Sequence, residues 1–243
     1  MRKNVEKMSF NFSPNFDLVK RHGRQIKYLI FHYTGMRSDK SAIKKLTDIN
    51  SKVSCHFYIT EKGNLIRMVP DLYIAWHAGK SSWRNHKQLN KYSIGIEISN
   101  PGHDHNYISY KKKQMETLVL ISRKLINKYK INKKNVLGHS DIAPVRKKDP
   151  GEKFPWKNLA KKKIGIWHNL KISKSKKMRN IKFFKKKEFF NELKLYGYDI
   201  KYSTETEKKK IVKNFQRHFR PEIVNGKLDK ECFFIIKALN SMK

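Results

Sequence analysis

Two cysteines in 243 residues, Cys55 and Cys232, are too few for a disulfide scaffold or a cysteine-built zinc module. Acidic residues are scarce too. Twenty Asp and Glu stand against 56 Lys and Arg, giving a net charge of +36 and a pI near 10.2. No apolar run approaches the roughly 18 residues that a membrane-spanning helix needs, which excludes an integral helical membrane protein. The opening segment MRKNVEKMSF has basic residues but no apolar stretch after them and no small-residue cleavage site. The expected place of action is therefore the cytoplasm, with the periplasm or outer membrane as the alternative.

Arginine is also in short supply. Only 11 of the basic residues are Arg, the side chain whose planar fork dominates base and phosphate recognition. No nucleic-acid motif accompanies them, so no nucleic-acid partner is expected. The lysine excess reads as a solvated, compositionally biased surface, one that also suits a polyanion such as a carboxylate-rich cell-wall polymer.

A hydrophobic content of 38%, with 12% of all residues aromatic, is enough for a core. The length fits one large domain and a small one. Residues 26–32 read as a buried strand, and residues 40–50 as a helix carrying Ile43, Leu46 and Ile49. Residues 53–60 and 65–69 read as a hairpin around Lys62-Gly63-Asn64. Residues 93–99 alternate, with Ile94, Ile96 and Ile98 on one face and Gly95, Glu97 and Ser99 on the other. A helical stripe of Met115, Leu118, Val119, Leu125, Ile126 and Tyr129 follows, then a short strand at 135–139. Between Lys161 and Lys187 there are twelve Lys or Arg and no Asp or Glu, a solvated connection with no core element. Beyond it the signals are helical only: Phe189 to Tyr196 with Gly197 as a stop, Thr204-x-x-Glu207 as a capping box, and Asp229 as the cap of a last helix. The expected division is 1–172 for the larger domain and 173–243 for a small all-α one.

Ten histidines invite a search for metal ligands. A hydrolytic zinc site needs about three ligands from His and Asp or Glu. His32 and His139 fall at strand ends, where a sheet holds ligands rigidly. Asp149, ten residues after His139, can return through a proline-rich loop. Each also has a plain reading: a lone surface histidine, or an aspartate that starts a turn. Glu97 faces solvent or a cleft on the sheet's open face, and Gly95 leaves room for a ligand beside it. The aromatics of Trp76-His77-Ala78-Gly79 and Ser82-Trp83-Arg84 suit a sugar or peptide, or they anchor loops. The residues alone reach an α/β domain with a candidate metal site.

FHYT at 31–34, WHAG at 76–79, SSWR at 81–84, SIGIE at 93–97, GHSDIAP at 138–144 and KKDPG at 147–151 together resemble the zinc-dependent N-acetylmuramoyl-L-alanine amidases. LYGYDI at 195–200 and FQRHFRP at 215–221 resemble the small helical, peptidoglycan-binding-type domain of the AmiD-like branch. The resemblance implies a mixed central β-sheet flanked by helices, the fold shared with peptidoglycan recognition proteins. It implies one zinc ion on His32, His139 and Asp149, Glu97 as the catalytic carboxylate and Lys147 as the catalytic lysine. Ser140 and Asp141 are expected to shape the loop, and His56 and His77 to be structural. The implied reaction hydrolyses the amide between N-acetylmuramic acid and L-alanine of peptidoglycan or its muropeptides, in cell-wall turnover, by a monomer. The alternative is a non-catalytic peptidoglycan-binding module of the same fold. AmiD-like enzymes usually carry an export signal and a lipid-anchored cysteine, which the first residues here do not display.

Overall fold

The computed structural model describes residues 8–171, 173, 177–200 and 204–242. Residue 172, where the expected domain division falls, and the first seven residues of the segment read for an export signal lie outside the described residues.

Six strands form the central sheet: β1 (Ser9–Phe10), β2 (Tyr28–Tyr33), β3 (Phe57–Ile59), β4 (Leu65–Arg67), β5 (Ser93–Ile98) and β6 (Val136–Gly138). Their order is β1-β4-β3-β5-β2-β6. Only the β3–β4 hairpin is antiparallel; the other neighbours run parallel. The sheet is mixed and carries helices on both faces, as expected. The central strands β2 and β5 are covered on both sides, so they are rich in Ile, Leu and Phe and almost wholly buried.

Strand alternation sorts the side chains. Leu29 and Phe31 of β2, Phe57 and Ile59 of β3, and Ile94, Ile96 and Ile98 of β5 share one cluster with Leu118, Val119, Ile121 and Leu125. The last four belong to helix α2 (Lys112–Tyr129), preceded in the chain by α1 (Asp39–Thr47). On the opposite face, Ala42 and Leu46 of α1 pack on Tyr58 and Ile66. Farther along that face, Tyr28, Ile30 and Leu137 join a core built mostly by the C-terminal helices.

Two short helices, α3 (His139–Ile142) and α4 (Trp156–Lys161), lie between the sheet and the C-terminal helices α5 (Lys186–Tyr196), α6 (Glu205–Phe219) and α7 (Lys230–Ser241). The expected caps are in place: Thr204 accepts from the Glu207 amide, and Asp229 from the Cys232 amide. Gly197 ends α5 at φ 145°, with the Trp83 ring so close that a Cβ would lie 2.7 Å from it. The lysine-rich stretch after α4 is more than a solvated connection. Ile164 and Ile166 are buried in it, one in each core cluster.

Candidate metal centre

His32 lies near the end of β2 on the face away from α2, and the parallel register sets Glu97 of β5 directly beside it. Glu97 is flanked on its other side by Tyr58 of β3. The strand read at 135–139 ends at Gly138, so His139 opens α3 instead of closing a strand. From there the chain loops out and returns at Asp149, whose carbonyl accepts the Ser140 amide at 2.8 Å. Three buried atoms converge: His32 Nδ1 and His139 Nδ1 are 3.0 Å apart, and each lies 3.1 Å from Asp149 Oδ2.

The far nitrogens decide the tautomers. His139 Nε2 is 3.1 Å from the Ala78 carbonyl, which can only accept, so Nε2 carries the proton and Nδ1 a lone pair. For His32 the argument runs through two more residues. The Ser93 hydroxyl donates to the Leu89 carbonyl at 2.6 Å, so its oxygen accepts from His77 Nε2 at 3.1 Å. His77 Nδ1 is then an acceptor, and His32 Nε2–H donates to it at 3.0 Å. His32 Nδ1 is left as a lone pair as well. Two nitrogen lone pairs and a carboxylate oxygen therefore face one another with no proton between them, an arrangement that a cation satisfies. Their spacing is close to the roughly 3.3–3.5 Å that a tetrahedral ion with bonds of about 2.0–2.2 Å sets between ligands. These three residues are a group able to hold a metal ion.

Electrostatics agree. Burial pushes His32 down to about 4, so its ring is neutral at pH 7. Burial, together with His32, drives His77 well below the usual histidine range. Glu97 goes the other way: burial first, and then the charge of Asp149, raise it well above the usual glutamate range. Its Oε2 is shielded from solvent and has no hydrogen-bond partner.

The site opens into a cleft of about 520 Å³ lined by Glu97, His139, Lys147 and Asp149, with Trp76 and Lys45 of α1 on its walls. Lys147 is half-buried, whereas Lys148 is exposed and pairs with Asp104 at 3.7 Å. The structure thus brings together the five residues singled out in the sequence. The space beside Gly95 is not free for a ligand, contrary to expectation: it holds the His77 ring, and a Cβ there would lie 2.4 Å from it. Trp83 is fully buried against Tyr196 and Tyr198, a loop anchor and not a cleft wall. The roles of His77 and Ser93 were not legible in sequence, because each depends on a neighbour far along the chain.

The profile of the N-acetylmuramoyl-L-alanine amidase family matches residues 22–152, a span that contains all five residues. N-acetylmuramoyl-L-alanine amidase AmiD of Escherichia coli is 34% identical over 258 residues, covering 97% of this chain and 89% of that protein. The chain belongs to the N-acetylmuramoyl-L-alanine amidase family. Within it the likeness is to the AmiD-like branch, since it extends through the C-terminal helices. The solved structure of E. coli AmiD with its substrate anhydro-N-acetylmuramic acid-L-Ala-D-gamma-Glu-L-Lys superposes with a TM-score of 0.81 at 33% identity, over 92% of this chain and 91% of that one. AmpDh3 of Pseudomonas aeruginosa in complex with anhydromuramic pentapeptide gives 0.80 at 30%, over 93% and 96%. This amidase thus has the fold of relatives solved with muropeptides in place.

Proposed function

We propose that this amidase hydrolyses the amide joining the lactyl group of N-acetylmuramic acid to L-alanine of the stem peptide, using one zinc ion held by His32, His139 and Asp149. The observation that carries the reading is the pair of imidazole lone pairs turned on a buried carboxylate, beside an unpartnered glutamate in a cleft. Two neutral imidazoles and one carboxylate make a ligand set typical of hydrolytic zinc and leave the site a net positive charge. When bound, zinc acidifies water and polarises an amide carbonyl.

The remaining steps belong to this chain's own side chains. Glu97 takes the proton of the attacking water on its free carboxylate oxygen and passes it to the departing nitrogen. Its raised proton affinity lets it hold that proton until the C–N bond breaks. The Lys147 ammonium, in the same cleft, offsets the charge that develops on the carbonyl oxygen. Lys45 and Lys147 make the cleft cationic, which suits the carboxylates of a stem peptide. The helical unit from residue 173 is read as peptidoglycan-binding. The active unit is taken to be a monomer.

Purified protein is tested by metal analysis and by digestion of soluble muropeptides with anhydro and ordinary muramyl ends, following release of free peptide. About one zinc per chain and release of peptide from both forms are expected. Full zinc retention in His139→Ala would show the ligand set to be wrong. Peptide binding without release would favour a non-catalytic module.

A further inference from the structure

Residues 138–149 carry His139, Lys147 and Asp149, yet after the four residues of α3 this segment has no strand or long helix to hold it. Three side chains from the C-terminal helical unit reach across to it, two from α6 and one, Tyr198, from the segment after α5. Asn214 of α6, itself buried, donates one amide hydrogen to the Pro144 carbonyl at 2.6 Å and the other to the Lys147 carbonyl at 2.8 Å. Its own oxygen accepts from Arg217 at 2.7 Å, so the amide cannot flip without losing both contacts. The second anchor is Asp141. Its Oδ1 accepts from the Tyr198 hydroxyl at 2.6 Å, and its Oδ2 from His218 Nδ1–H and from the Gly138 amide, both at 2.8 Å. The His218 ring is stacked 3.8 Å from Trp156 and 3.9 Å from Phe219, which fixes its donor in place.

We infer that the C-terminal helical unit braces the metal loop: Asn214 is a positioning residue for Lys147, and Tyr198 and His218, acting through Asp141, are positioning residues for His139. The inference rests on the reading of this loop as the carrier of two metal ligands and the catalytic lysine. It follows from where the contacts fall. Asn214 grips the backbone of Lys147 itself. Asp141 is tied to the amide of the residue just before His139, so the Tyr198 and His218 hydrogen bonds set the height at which α3 starts. A carboxylate buried among three donors has one well-defined position. A unit that served only to bind the wall would not need buried polar contacts to this one loop.

The test uses the full-length protein. Tyr198→Phe removes a single oxygen atom, His218→Phe keeps the ring stack and removes the donor, and Asn214→Leu removes the amide. Glu231→Gln is the control, since it weakens the Arg179 and Arg220 pairs inside the helical unit without touching the loop. Zinc affinity by chelator competition, kcat and KM on a soluble muropeptide, and thermal midpoint are measured for each. Outer contacts of metal ligands typically alter affinity or activity by about 10–100-fold. On that scale, Tyr198→Phe with His218→Phe is expected to weaken zinc about tenfold or more. Asn214→Leu is expected to lower kcat about tenfold, with KM and zinc affinity within about twofold. Glu231→Gln should lower only the thermal midpoint.

Zinc affinity and kcat that stay level in the loop-facing variants, whatever their stability, overturn the inference. So does equal weakening by Glu231→Gln, and so does a defect confined to binding of insoluble sacculi. Because Tyr198→Phe is so mild a change, the measurement survives even if Asn214→Leu does not fold. Zinc retention in His139→Ala would instead mark failure of the metal reading beneath it.

Discussion

A histidine with no place among the three converging atoms decides which atom of its neighbour points at them. His77 sits between His32 and Ser93, and the line from the Leu89 carbonyl through Ser93 and His77 leaves His32 Nδ1 unprotonated. Replacing His77 by Phe keeps a ring of similar size but frees His32 to swap tautomer. Metal affinity is expected to fall by about 10–100-fold with the fold retained, measured against a chelating dye. An affinity unchanged in His77→Phe would mean that the carboxylate alone orients the ring. For Glu97→Gln, the expectation is a loss of about 10²–10⁴-fold in turnover while metal and muropeptide still bind. Near-normal turnover would place the base elsewhere. At this scale the sequence was informative about residue type and poor on partners. Alternation alone put Glu97 opposite three isoleucines. That His32 stands next to it is a matter of register between strands more than sixty residues apart, which no local pattern encodes.

Elements show the same division between local and distant causes. Period-2 alternation and the Thr204 and Asp229 caps are short-range physics, so β5, α6 and α7 were legible with their boundaries nearly right. The two-residue strands were not: Ser9–Phe10, for example, is a strand only because β4 lies alongside it. Charge also misled. Twelve basic side chains between Lys161 and Lys187 masked Ile164 and Ile166, which turn inward while Lys161, Lys162 and Lys163 stay in water. Within β5, Gly95 marks where strand and cleft compete for space. A methyl group there meets the His77 ring at 2.4 Å. Overpacking of this kind typically costs about 1–3 kcal/mol. Gly95→Ala should therefore lose about that much stability by urea unfolding and bind metal more weakly, because the ring that must move is the one holding His32. Full stability in this variant would show that the β5–His77 contact has slack.

Across the whole molecule, the histidine-lined face of the sheet is buried by helices from both ends of the chain, and that burial makes the fold sensitive to acid. His32, His56 and His77 all lie beneath it, held neutral. Burial lowers His56 to about 3, helped by the adjacent Arg21 charge, and lowers His32 to about 4; His77 lies well below its usual range. In the unfolded chain each titrates near 6.5. Between that pH and the folded values, the unfolded chain binds protons that the folded one refuses. Stability is then full above about pH 6.5 and drains away as the pH falls toward 4, by up to about 1.4 kcal/mol per pH unit for each histidine. Glu97, raised by burial, opposes this loss, because the folded carboxyl takes up its proton before the unfolded one does. Carboxylates held below their usual range add to the loss only at lower pH. Burial would raise Glu152, but hydrogen bonds from His103 and the Arg217 charge bring it to about 2, so its share is lost below about pH 4.5. The expected result for metal-free protein is a fall in urea-unfolding free energy from pH 6.5 to 5, the three histidines outweighing Glu97. His56→Gln should make the slope shallower by about one proton, because a side chain that cannot titrate removes one of the three. A free energy that stays flat down to pH 5 would mean that these rings are already charged in the folded protein. A lone-pair assignment for His32 could not stand beside that result.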